Sequence, residues 1–241
     1  MPLRERLIVA LDVSSIAQAQ AVVSSLSDIV EIYKVGMQLF TAEGPPIARN
    51  LIASGKKVFL DLKFHDIPNT VEAAVREAAQ LGVSMLTVHA AGGSKMLRAA
   101  TAAARDESDD LQVLAVTVLT SMVENDLAEV GIPSSVSDQV VTLASTALAS
   151  GCGGVVSSAR ELKTLRQKLG HEFLAITPGV RPAGMAHGDQ ARVVTPAEAV
   201  RAGATHIVVG RPITAAANPR SAAERIFDEI EAATELNPTF K

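Results

Sequence analysis

Eight short runs rich in β-branched residues recur along the chain: "RLIVALD" (6–12), "VEIYKVG" (30–36), "KVFLDLK" (57–63), "SMLTVHA" (84–90), "QVLAVTV" (112–118), "GGVVSS" (153–158), "EFLAITP" (172–178) and "HIVVGRP" (206–212). Helix-like stretches separate them, many closed by glycine, among them "IARNLIASG", "VEAAVREAAQLG", "VTLASTALASG", "SARELKTLRQKLG" and "PAEAVRAG". Glycine just past a helix supplies the left-handed C-cap. Ser14/Ser15, Asn69, Ser157/Ser158, Thr195 and Asn218 stand where N-caps are expected, several followed by Pro or Glu. Such alternation implies a parallel sheet. A doubly wound sheet that binds a dinucleotide has a glycine-rich turn after its first strand, whereas this first strand runs into "LDVSS". Eight repeats in 241 residues match an α/β fold of the (β/α)8 TIM-barrel type, with one helix after each strand and a single domain over 1–241.

Composition narrows the function classes. The chain is 48% hydrophobic and 20% charged, so a packed core is expected, and Ala and Val suit close packing of helix on sheet. Its net charge is −4 and no Lys/Arg cluster is visible, which argues against nucleic-acid or membrane-surface partners. No segment approaches the ~20 apolar residues of a membrane span. The start "MPLRERLIVALD" lacks a signal-peptide pattern. One cysteine, Cys152, leaves no internal disulfide, and within "GCGGVV" it reads as a small buried residue. A reducing, cytoplasmic location is expected.

In a barrel of this type the active site lies at the C-terminal ends of the strands. Those ends carry Asp12, Lys34, Asp61 with Lys63, His89, Thr117 and Thr120, Ser157, Pro178 with Arg181, and Gly210 with Arg211. Charged residues from distant parts of the sequence therefore collect on one rim. Side-chain alternation points Asp61 and Lys63 the same way, Asp66 follows in the loop, and Lys34 on the neighbouring strand adds a second cation. A Lys–Asp–Lys–Asp chain balances its own charge and keeps Lys63 protonated beside ionised Asp61 and Asp66. It could serve as general acid toward a developing carbanion, with a carboxylate repelling a substrate carboxylate that leaves as CO₂. Two other readings stay open: a structural salt-bridge network, or a divalent-metal site on Asp12, Asp61 and Asp66, against which the two lysines already supply the positive charge.

The eighth strand ends "VVGRPI", where glycine lets backbone N–H groups approach an anion and Arg211 can bind it bidentately. The alternative is a turn followed by a solvated arginine. The preceding connection, "TPGVRPAGMAHGDQARVVTP" (177–196), is long for its place and offers Arg181 and Gln190. It reads as a lid over a phosphorylated substrate, or else as a disordered insertion.

Together "ALD" (10–12), "YKVG" (33–36), "DLKFHDIPNT" (61–70), "VTVLTSM" (116–122), "TPGVRP" (177–182), "GDQ" (188–190) and "VVGRPI" (208–213) resemble orotidine 5'-phosphate decarboxylases of the bacterial type, over nearly the whole chain. The resemblance implies conversion of orotidine 5'-phosphate to UMP, with Lys63 protonating C6, Asp61 and Asp66 flanking the reacting carboxylate, and Lys34 completing the array. It also implies Asp12 and Lys34 on ribose hydroxyls, Thr120 and Ser121 on the pyrimidine, and Arg181, Gln190, Gly210 and Arg211 on the 5'-phosphate. It implies a homodimer in which Asp66 and Thr70 reach the partner's site, and neither metal nor organic cofactor. The chain departs from the pattern at Thr205 and His206, where many relatives carry an acidic residue; this is the bottom of the barrel, and His206 reads as structural. His65 and His89 are not expected to be catalytic, and Tyr33 and Phe59 read as packing. Two rivals remain: a Mg²⁺-dependent sugar-phosphate lyase or decarboxylase of the same barrel suprafamily, which would want a further acidic ligand near the second strand, and a non-catalytic phosphate-binding barrel.

Overall fold

In the computed structural model, which describes residues 2–26, 28–182 and 193–235, eight parallel strands close into a barrel in the order of the sequence. They are β1 (Leu7–Ala10), β2 (Ile32–Gly36), β3 (Lys57–Phe64), β4 (Met85–His89), β5 (Gln112–Val116), β6 (Gly154–Val156), β7 (Leu174–Thr177) and β8 (His206–Val209). Each falls on one of the eight runs; β3 continues one residue further than expected and the others are shorter.

The helices are α1 (Ile16–Ser25), α2 (Met37–Glu43), α3 (Pro46–Ala53), α4 (Pro68–Gln80), α5 (Gly93–Glu107), α6 (Glu124–Glu129), α7 (Val136–Ala149), α8 (Ala159–Leu169), α9 (Pro196–Ala202), α10 (Arg211–Thr214) and α11 (Pro219–Glu235). One helix per strand is therefore too simple: β2, β5 and β8 are each followed by two. After β2 the cause is local, since Gly44 at φ 64° ends α2 and the Pro45–Pro46 pair begins α3. The expected caps form at Ser15, Ser158 and Thr195, each accepting a backbone N–H of the first turn, and at Asn218, whose side chain accepts the Ser221 N–H at 3.0 Å. Asn69 is not a cap. Pro68, with no N–H to satisfy, takes the first helical position, so Asn69 lies inside the first turn of α4.

Alternation along the strands divides the core in two. One set, including Leu7, Val9, Tyr33 and Leu60, packs outward against the helices. The other fills the barrel: Ile8, Ala10, Ile32, Phe59, Met85, Leu114, Ile176 and Val208. The barrel is thus plugged below its mouth. Tyr33 and Phe59 pack as expected, and Cys152 is buried, with its thiol pushed up to about 12 by desolvation.

At the opposite end, His206 opens β8, its Nδ1 lying 2.9 Å from the Thr205 hydroxyl. Burial pushes its pKa down to about 4, against a weaker opposing pull from Glu5. An unfolded imidazole titrates near 6.5, so as pH falls the unfolded chain takes the proton first. The neutral ring's contribution is complete above pH 6.5 and is lost progressively toward pH 4. The stability of wild type relative to His206→Asn is expected to shrink by about 2–3 kcal/mol between pH 7 and pH 4.5, as measured by urea unfolding at the two pH values; a constant difference would contradict it.

Candidate active site

The interior plug dictates what reaches the mouth. Two residues beyond Ala10, Ile32, Phe59, Met85 and Val208, on the same face of each strand, stand Asp12, Lys34, Asp61, Thr87 and Gly210. Lys34 is only 8% exposed. Its Nζ lies 2.8 Å from Asp12 Oδ1 and 3.7 Å from Asp61 Oδ2, while Lys63 Nζ lies 2.8 Å from Asp61 Oδ1. Two lysines and two aspartates therefore form one continuous array. Asp61 and Lys34 each have two partners of opposite charge in it, so removing Lys63 would leave the partly buried Asp61 carboxylate with the longer contact to Lys34.

Lys63 does not reach the array by plain strand alternation. Pairing of β3 with β4 is regular at Leu60↔Leu86 and resumes at Phe64↔Val88, so four steps on one strand face two on the other. Lys63 sits in this bulge at φ 54°, left-handed although not glycine. Its N–H donates to Thr87 Oγ1 at 2.9 Å, and the Thr87 hydroxyl donates to Asp61 Oδ1 at 3.0 Å.

A cavity of about 500 Å³ opens above the plug, lined in part by Asp12, Lys34, Asp61, Lys63, Thr120, Arg181, Gly210 and Arg211. Val116, Val118, Leu119, Val156 and Val180 supply apolar wall. Among the described lining residues four cations face two carboxylates, a surplus that favours an anionic ligand. Arg181 is placed by backbone pairing: its N–H donates to the Val194 carbonyl at 2.9 Å, drawing together the two described ends of the long connection after β7. Gln190 lies outside the described residues.

Three expected residues do not line this cavity. Ser121 is exposed beside Thr120, Thr70 is exposed on the first turn of α4, and Asp66 is exposed with its carboxylate accepting the Ile67 N–H at 2.7 Å. The Lys–Asp–Lys–Asp chain read from the sequence is therefore completed within one chain by Asp12, not Asp66. Next to it, His89 and His65 face each other with ring centroids 5.3 Å apart. Burial, then the neighbouring His65 and Lys63, hold the His89 pKa below the ordinary imidazole value, with Asp61 opposing.

Two residues were missed in the sequence. Thr87 could have been found by counting two from Met85 along β4. Gly36 follows Lys34 by the same step, and a Cβ there would stand 2.8 Å from Lys34 Nζ and 3.2 Å from Asp12 Oδ1. Its φ of −93° needs no glycine, so the close approach of the ion pair is the reason for one.

Comparison with known proteins gives a family and a matching fold. The model of the orotidine 5'-phosphate decarboxylase / HUMPS family matches residues 5–226. The chain is 51% identical over 237 residues to an orotidine 5'-phosphate decarboxylase of Moorella thermoacetica, covering 96% of this chain and 94% of that one. It is 52% identical over 233 residues to that of Geobacter sulfurreducens, covering 95% and 97%. Among solved structures, orotidine 5'-phosphate decarboxylase from Lactobacillus acidophilus superposes with a TM-score of 0.84 at 39% identity, covering 94% of this chain and 99% of that one.

Proposed function

The chain belongs to the orotidine 5'-phosphate decarboxylase / HUMPS family, and from that membership we infer that it is a carboxy-lyase converting orotidine 5'-phosphate to UMP and CO₂ in pyrimidine biosynthesis. The observation that carries the reading is the Lys34–Asp61–Lys63 array at the end of β2 and β3, in a cavity whose surplus of cations suits a phosphorylated, carboxylated ligand.

The proposed chemistry assigns a task to each side chain. Arg181, Gly210 and Arg211, with Gln190, hold the 5'-phosphate, so that binding energy from the far end of the substrate fixes the ring. Asp12 and Lys34 hold ribose hydroxyls, and Thr120 and Ser121 contact the pyrimidine. The C6 carboxylate is then pressed toward Asp61, which disfavours the bound substrate. The C6–carboxylate bond breaks, the electron pair stays at C6, and the Lys63 ammonium stabilises it and delivers the proton that gives UMP. Lys63 recovers its proton from solvent. The chain's own residues supply every group this scheme uses, so no metal or organic cofactor enters it.

Asp66 and Thr70 are assigned to the site of a second copy. Both lie in the exposed segment 65–70 with Ile67, a large apolar side chain 67% exposed, which suits coverage by a partner surface. The whole chain is proposed to work as one catalytic unit in the cytosol; no described helix is long and apolar enough to cross a membrane.

Gly36→Ala is expected to push Lys34 from Asp12 and raise KM for orotidine 5'-phosphate about tenfold, because misplacing a positioning group by a fraction of an ångström weakens its contacts. Steady-state kinetics beside a melting curve would check it; an unchanged KM in a folded variant would remove the steric role of Gly36.

The function itself is tested by the ultraviolet absorbance of orotidine 5'-phosphate mixed with the purified protein and EDTA. Loss of the orotate chromophore is the expected result. Silence with EDTA but turnover of a sugar phosphate with Mg²⁺ would replace this reading with the metal-dependent lyase. Silence in both with UMP still bound would leave a phosphate-binding barrel.

A further inference from the structure

We propose that Thr87, a β4 residue with no surface on the cavity, is a positioning residue that sets where the Lys63 ammonium stands; the inference rests on the catalytic reading of Lys63 given above. The bulge takes the Lys63 N–H out of the regular β3–β4 pairing, and Lys63 is the only non-glycine residue at positive φ among the described residues. Such a conformation persists where its surroundings over-determine it. Here the Lys63 N–H is held by one hydroxyl.

Thr87 Oγ1 accepts the Lys63 N–H at 2.9 Å and donates to Asp61 Oδ1 at 3.0 Å. That same carboxylate oxygen accepts from Lys63 Nζ at 2.8 Å. The backbone of Lys63, its ammonium and the Asp61 carboxylate are thus closed into a ring through a single side chain. A hydroxyl has one proton and two lone pairs. Once a lone pair takes the Lys63 N–H, the proton remains for Asp61, and both bonds fix the side chain's direction. Thr87 is 1% exposed, so bulk water does not stand in for it, and its β-branch restricts χ1. Valine keeps the shape and loses both bonds; serine keeps both bonds.

The experiment compares wild type, Thr87→Val, Thr87→Ser and Lys63→Ala by kcat and KM for orotidine 5'-phosphate, by melting curve, and by hydrogen exchange of the Lys63 amide. Thr87→Val is expected to lose about 10²-fold in kcat with KM within about threefold, since the phosphate end is untouched while the ammonium shifts. Its Lys63 amide should exchange faster. Thr87→Ser should stay near wild type in all three. Should Thr87→Val not fold, Thr87→Ala removes the same hydroxyl without a branched side chain and replaces it in the comparison. Wild-type kcat in a folded variant lacking the hydroxyl, or an equal loss in Thr87→Ser, overturns the proposal. Wild-type inactivity, or turnover surviving in Lys63→Ala, overturns instead the catalytic reading, and the exchange measurement still decides whether Thr87 holds Lys63.

Discussion

Lys63→Ala is expected to lower kcat for orotidine 5'-phosphate by about 10⁴-fold or more. A positioned general acid contributes roughly 10²–10⁴-fold and a preorganised charge aimed at a developing anion roughly 10²–10³-fold, and here one ammonium does both. The loss should fall on kcat rather than on UMP affinity, because the proposed phosphate and ribose contacts come from β1, β2 and the connections after β7 and β8. Absorbance assays at saturating substrate, with calorimetry of UMP binding, separate the two. A variant that folds, binds UMP and keeps kcat within tenfold would show that another group delivers the proton. Lys63 also neutralises Asp61 at 2.8 Å. Its removal leaves Lys34, at 3.7 Å, as the remaining cation on that carboxylate, so some loss of thermal stability should accompany the loss of rate.

The second large effect is a recovery. Lys63→Ala and Asp66→Ala are each expected to be nearly inactive alone, yet a mixture that has exchanged subunits should regain activity. In a two-fold dimer each site would take Lys63 from one subunit and Asp66 from the other, so a mixed dimer has one site missing both and one site intact. Random exchange of equal amounts should restore about a quarter of the wild-type sites. Differently tagged subunits, co-purified to verify exchange and then assayed, give the measurement. No recovery after verified exchange would place Asp66 in its own chain's site, against its exposed position beside Ile67 in the single chain.

Much of the site could be read before any fold was known. Asp12, Lys34, Asp61 and Gly210 each lie at the end of an apolar run, and strand periodicity alone aims Lys34 and Asp61 past the buried Ile32 and Phe59. Arg181 and Arg211 follow from the rule that the loops after the last two strands hold phosphate. Asp66 was harder. Its place in "DLKFHD" suggests membership of the charged array, but that proximity is in sequence, and the loop turns its carboxylate to the Ile67 N–H. Gly36 was passed over because its backbone is ordinary; what a side chain there would displace is the end of a lysine two residues back, reaching an aspartate just past β1.

The sequence by itself determined the eightfold alternation, the inward and outward faces of the strands, and the collection of charge at one rim. These depend on residue periods of 2 and 3.6, which a chain displays without reference to its distant parts. Tertiary structure decided how Lys63 arrives at Asp61. The left-handed turn at Lys63 exists against one particular neighbour, a threonine 24 residues further along, whose hydroxyl takes the N–H that the bulge sets free. A buried N–H must find an acceptor, and which acceptor it finds is settled by the strand that packs beside it.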